Sequence, residues 1–260
     1  MKAVLVALSL LLVPAALAAD YRNPTAGKAV ALQLPGMHLA KVQRNLVYKS
    51  GLRLDVYRPQ SSTRRLPAVL FVHGRTGQES PKDWGQYVGW AQLAAASGLV
   101  GVTFNHLDDP ADVAAAIRYV RANGARLGID GTRLCVVGYS AGVHPALLLA
   151  LKETQGRLRC AVGYYGSLDA RWPQFSPREH LRADSLPILL AKAGKDVAWV
   201  NSSIDGFVAK ARGLDAPVEL VVHATGPHVF DVAKPDARTR AIMRRTLAFL
   251  RGHLLGTASR

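Results

Sequence analysis

Apolar and polar positions along this chain follow two periods in turn. Short, largely apolar runs recur at Leu66–Val72, Val100–Phe104, Arg133–Val137, Arg159–Tyr165, Leu186–Ala193 and Val218–His223. Runs of that length, rich in β-branched residues, read as strands buried on both faces. Between them lie longer stretches with helical spacing, at Asp83 to Ser97, Asp112 to Arg121 and Val143 to Leu151, with a last one carrying Arg238, Arg240, Arg244, Arg245 and Arg251. The alternation predicts a single α/β domain: a mostly parallel central sheet with helices on both faces. Val42 to Tyr48 and Arg53 to Tyr57, around Lys49-Ser50-Gly51, read as an opening antiparallel hairpin. Asp20 to about Ala40 reads as an irregular, mobile arm. One long excursion between strands, Ala170 to Ser185, opens with Trp172-Pro173-Gln174-Phe175-Ser176-Pro177 and predicts a small cap insertion.

The chemistry starts at Gly138-Tyr139-Ser140-Ala141-Gly142, where two glycines enclose a serine between a strand and a helix. A serine on so sharp a turn is lifted clear of the sheet, and the helix that follows favours developing negative charge. Strands in a parallel sheet end on one rim, so residues that follow later strands can meet this serine. Asp196 follows the strand at Leu186–Ala193, and His228 lies in the loop Ala224-Thr225-Gly226-Pro227-His228 that leaves the last strand. The three side chains suit a nucleophile, an acid that orients, and a general base. Asp169, after an earlier strand, is the alternative acid, and His223, inside a strand, the alternative base. Asp205 and Asp231 read as helical or peripheral and solvated. His73-Gly74-Arg75-Thr76-Gly77 leaves the strand at Leu66–Val72 and predicts an oxyanion loop. The backbone N–H groups of Ala141 and Arg75 are the expected donors, with Gly74 or Thr76 serving if the loop is shifted.

These motifs are similar to those of the α/β-hydrolase superfamily, within its dienelactone-hydrolase-like and acetyl-esterase-like group. The resemblance runs from Leu54-Asp55-Val56-Tyr57-Arg58-Pro59 to about Leu250. Ser140-Ala141-Gly142-Val143-His144 resembles the S-A-G-G-H run of such esterases, and Pro227-His228-Val229-Phe230-Asp231 their His-x-Phe segment. Ser140 stands where true dienelactone hydrolases carry cysteine, and Arg75 where many esterases of the H-G-G type carry glycine. The resemblance implies an α/β-hydrolase fold, a Ser140–His228–Asp196 triad, a small-molecule ester substrate, and no cofactor or metal. The alternatives to ester cleavage are a peptidase or acyl-peptide hydrolase of the same fold, or a non-catalytic binding protein on that scaffold. Trp172 in the cap, and Trp199 three residues past Asp196, are candidates to line the substrate pocket.

The N-terminus adds a location. Lys2, the apolar run Ala3 to Val13 and Ala16-Leu17-Ala18 read as a signal peptide over residues 1–18, with the hydrolase domain at 19–260. The run is shorter than the roughly 20 residues a membrane span needs, which predicts export without stable membrane insertion. Export places Cys135 and Cys160 in an oxidising compartment, on strands expected to be neighbours. Because side chains in a packed parallel sheet seldom point at each other, two buried thiols are favoured, with a disulfide as the alternative. The net charge of +15 is spread over helices rather than gathered in a run, and no aromatics interleave with it. That pattern argues against nucleic-acid binding. The oligomeric state is not legible.

Overall fold

The computed structural model describes residues 27–74, 81–107, 109–152 and 158–256. The predicted signal peptide, Arg75, Thr76 and Asp108 lie outside them. Eight strands form one sheet: β1 (Lys41–Lys49), β2 (Leu52–Arg58), β3 (Leu66–Val72), β4 (Val100–Phe104), β5 (Ile129–Tyr139), β6 (Cys160–Tyr164), β7 (Ile188–Ala193) and β8 (Val218–His223). Their order is β1-β2-β4-β3-β5-β6-β7-β8. The opening hairpin is antiparallel, β2 joins β4 antiparallel, and every pairing from β4 to β8 is parallel. The helices are α1 (Gly85–Ala96), α2 (Pro110–Ala122), α3 (Gly124–Leu127), α4 (Val143–Lys152), α5 (Ala198–Leu214), α6 (Phe230–Ala233) and α7 (Ala237–Leu255).

Period-2 alternation within the strands divides the core. Leu70, Val136 and Leu190 face α2, α4 and α5, while Val69, Phe71, Val137 and Leu189 face α1 and α7. Helix ends follow local chemistry. Asp109 caps α2 by accepting the Ala111 N–H at 2.8 Å, with Pro110 at the first helical position. Asp236 caps α7 through the Thr239 N–H, also at 2.8 Å.

Two expectations are corrected. From Gly27 to Ala40 the chain is a packed strap: Val30, Leu32 and Met37 are buried, and Ala31 N–H donates to the Asp231 carbonyl at 2.7 Å. The notch that receives it is cut by Gly85, where an added Cβ meets the Lys28 carbonyl oxygen at 2.4 Å. Cys135 and Cys160 form a disulfide. They are register partners on β5 and β6, on the same face of the sheet, with Cα atoms 4.9 Å apart. That separation is both a normal inter-strand spacing and within disulfide reach.

Candidate active site

Ser140 sits at the C-terminal end of β5, in a 3-10 turn that leads into α4. Its φ is +51°, the left-handed conformation that costs a non-glycine residue on the order of 1–3 kcal/mol. The turn closes only because its flanks lack Cβ atoms. One on Gly142 would stand 2.2 Å from the His73 carbonyl oxygen, and one on Gly138 would stand 2.6 Å from the Gly142 carbonyl oxygen. The strained turn brings Oγ to the rim of the sheet.

Asp196 and His228 meet it there. Loops after β7 and β8 are tied together, Gly194 N–H to the His223 carbonyl and Lys195 N–H to the Gly226 carbonyl, both at 2.9 Å. Asp196 has a buried carboxylate, 3% exposed. Its Oδ1 accepts the Val197 N–H at 2.8 Å, and its Oδ2 lies 2.7 Å from His228 Nδ1. His228 Nε2 lies 2.9 Å from Ser140 Oγ. With the proton on Nδ1 donated to the carboxylate, the Nε2 lone pair accepts the serine O–H.

The alternative residues go elsewhere. Asp169 pairs with Arg178 at 3.0 Å. His223 is buried against Phe230, its Nε2 3.1 Å from Asp236 Oδ1. Asp205 is exposed and pairs with Lys192, as expected of a solvated carboxylate. Asp231 is not solvated: it is fully buried and accepts from Gln86, Trp90 and Tyr165. Its burial depends on α1, far away in sequence, and the four-residue α6 carries no periodicity to betray it.

The loop leaving β3 is described as far as Gly74. Gly74 N–H donates to the Tyr87 hydroxyl at 3.0 Å, so that alternative oxyanion donor is engaged. Ala141 follows Ser140 and is exposed at the turn. Beyond the undescribed residues, Lys82 N–H donates to Asn105 Oδ1 at 3.2 Å, and its buried ammonium lies 3.1 Å from Asp55. His106, beside Asn105, bonds to His73. Residues 105 and 106, directly after β4, thus hold both ends of this loop. A histidine at the C-terminal end of a neighbouring parallel strand was the readable signal for His106.

Between β6 and β7 the excursion forms two 3-10 turns, Pro173–Phe175 and Pro177–His180. His144, in the first turn of α4, binds through Nε2 to the Phe175 carbonyl at 2.6 Å and so anchors the excursion beside the Ser140 turn. Trp172 is 57% exposed and Trp199 66%. No group of three or more His, Cys, Asp or Glu suited to a metal ion occurs among the described residues. Among the same residues no helix is long and apolar enough to cross a membrane.

The BD-FAE family model matches residues 54–180. A probable isoprenylcysteine alpha-carbonyl methylesterase of Arabidopsis thaliana is 32% identical over 130 residues, 45% of this chain and 31% of the relative. The chain therefore spans about a third of the length of the curated relatives it matches. A thermophilic esterase of the Planctomycetes species Thermogutta terrifontis superposes with a TM-score of 0.69 at 21% identity, covering 86% of this chain and 97% of that one. A thermostable esterase of Pseudomonas putida gives a TM-score of 0.71 at 21% identity, covering 86% of each chain. Strand order and parallel register agree with these superpositions, and the chain has the α/β-hydrolase fold.

Proposed function

We propose that this protein is an exported serine hydrolase that cleaves carboxylic esters of small to medium size through an acyl-enzyme. The observation that carries the reading is the unbroken hydrogen-bonded chain from Ser140 Oγ through both nitrogens of His228 to Asp196, at 2.9 and 2.7 Å. Ser140 Oγ attacks the ester carbonyl carbon while its proton passes to His228 Nε2. The tetrahedral oxyanion is met by the backbone N–H groups of Ala141 and Arg75. Collapse expels the alcohol, which takes the proton from Nε2 and leaves the acyl group on Ser140. Water then repeats the sequence, releasing the carboxylic acid and restoring the serine. Asp196 holds the imidazole in the Nδ1–H tautomer and stabilises its cation. Trp172 and Trp199 line the mouth where the acyl or alcohol group enters. The methylesterase relatives support ester rather than amide cleavage.

Export rests on the charged and apolar N-terminal run and draws support from the Cys135–Cys160 disulfide, a bond that persists in oxidising compartments. N-terminal sequencing of the extracytoplasmic protein should begin at Ala19.

Fluorophosphonate labelling with peptide mapping tests the nucleophile. Ser140 in folded protein should carry the label, and Ser140→Ala should lose ester turnover by several orders of magnitude. An unlabelled Ser140, or turnover that survives the substitution, rejects the reading.

A further inference from the structure

Three residues after His228 in the chain stands a buried carboxyl group, Asp231, for which the hydrolytic steps have no use. Asp231 Oδ2 accepts Trp90 Nε1–H at 2.8 Å and Gln86 Nε2–H at 3.0 Å, and Oδ1 accepts the Tyr165 hydroxyl at 2.6 Å. Gln86 also donates to the Tyr165 oxygen at 2.7 Å. All four residues are buried. Burial pushes the Asp231 carboxyl pKa up, and the three donors act the other way. Donors alone surround it, the pattern that suits an ionised carboxylate. Tyr87 and Tyr139 face the same carboxyl from α1 and β5.

This one side chain joins three elements: α1, the residue after β6, and α6, which begins two residues after His228. Tyr165 then reaches the site itself. Its ring stands edge-on to the His228 imidazole, with centroids 4.9 Å apart and planes at 62°. The backbone on both sides is in conformations that a non-glycine residue adopts only under constraint: φ is +39° at Tyr165 and +59° at Val229, a β-branched residue next to His228. Such positions persist only when the surrounding contacts over-determine them. The Asp231 cluster is one such set of contacts, holding Tyr165 through its hydroxyl and α6 through its own position, beside the backbone bonds of Tyr165 N–H to the Ala191 carbonyl and of Val232 N–H to the Val229 carbonyl.

We propose that Asp231 and Tyr165 are positioning residues for His228, the carboxyl group holding the phenol and α6 so that the ring keeps the imidazole aligned between Ser140 and Asp196. The inference rests on the reading of Ser140 as nucleophile, and adds a support to that site that lies outside the Ser140–His228–Asp196 chain. A displacement of about 1 Å in a catalytic group is enough to cost orders of magnitude in rate. The cluster therefore acts on kcat, whereas a merely structural cluster would act on the folded fraction.

Asp231→Asn preserves shape and replaces one acceptor oxygen with an NH2 donor; Tyr165→Phe preserves the ring and removes the hydroxyl, and serves if the first variant does not fold. Each is compared with the full-length wild type by thermal melting, steady-state ester kinetics and proton NMR of the His228 Nδ1–H. That resonance is assigned by its disappearance in His228→Gln. In folded variants kcat should fall about tenfold or more, with KM within about twofold, and the Nδ1–H resonance should broaden or shift. Wild-type kcat in a folded variant, an unchanged resonance, or a loss that only tracks the folded fraction overturns the proposal. If the wild type turns over no ester, the hydrolase reading fails, and the resonance alone still decides the positioning.

Discussion

His73 and His106 stack face to face, with ring centroids 3.7 Å apart and planes within 13°. His106 N–H donates to His73 Nε2 at 3.1 Å, and His73 Nδ1–H donates to the Gly74 carbonyl at 2.7 Å. His106 Nε2–H donates to the His73 carbonyl at 3.2 Å. His73 must be neutral for this arrangement, because its Nε2 accepts. Burial, and then the neighbouring His106, push the His73 pKa from the ordinary 6.5 down to about 3.

The sign of the resulting pH dependence follows. Between pH 6.5 and about 3 the unfolded chain binds a proton on His73 and the folded chain does not. Folding is thus favoured fully above pH 6.5 and loses this contribution as pH falls toward 3. Urea midpoints measured across that range should decline with acidity, and His73→Gln should flatten the decline. An identical slope in the variant would show that His73 does not carry it. The same substitution removes the ring that stacks on His106 and should lower kcat, since the loop it holds is the proposed oxyanion loop.

The two candidate acids separate cleanly. Asp196→Asn replaces the acceptor of the His228 Nδ1 proton and favours the wrong tautomer, and kcat should fall by about four orders of magnitude. Asp169→Asn breaks only a half-exposed pair with Arg178, and activity should stay within about twofold. Stopped-assay kinetics on one ester substrate suffice, and the reverse ranking would move the acid to Asp169.

Much of this was legible because it is local. Alternating apolar runs gave the order of strands and helices, and parallel strands share a rim, so Ser140, Asp196 and His228 converge from sequence separations of 88 and 32 residues. What depends on distant partners was not legible. Asp231 reads as a surface acid until Gln86 and Trp90, 145 and 141 residues earlier, are brought onto it. The strap at Val30 and Leu32 needs the notch at Gly85, and the pairing of Cys135 with Cys160 needs the register of β5 against β6.

The disulfide closes a loop with a sequence separation of 25 residues. Restricting an unfolded chain by a loop of that size stabilises the fold by about 3 kcal/mol. Cys135→Ala/Cys160→Ala, or reduction of the native protein, should lower the urea-derived stability by about that amount. Both sulfurs lie in the core beneath the sheet's rim, facing α1 and α7, so turnover per folded molecule should hold. A matched loss of specific activity would place the bond in the function of the site as well as its stability.

Trp172 and Trp199 are large apolar side chains left in water, at 57% and 66% exposure, on the two segments that flank the site. Trp199 lies in the first turn of α5, three residues after Asp196; Trp172 opens the excursion that His144 anchors, with the Arg171 guanidinium 5.3 Å from its ring centre. Exposed aromatics gain free energy when a ligand covers them, by roughly 25 cal/mol for each Å² of apolar surface removed from water. If the two rings border the pocket, a small acetate ester such as methyl acetate covers little of either, whereas an ester with a bulky acyl or alcohol group covers more of both. Trp199→Ala and Trp172→Ala should therefore raise KM for bulky esters by about tenfold and leave acetate esters within about twofold, with kcat preserved in both cases. Equal effects on both substrates would reassign these rings to packing of the excursion and α5. A loss confined to one tryptophan would show which side of the site receives the bulky group.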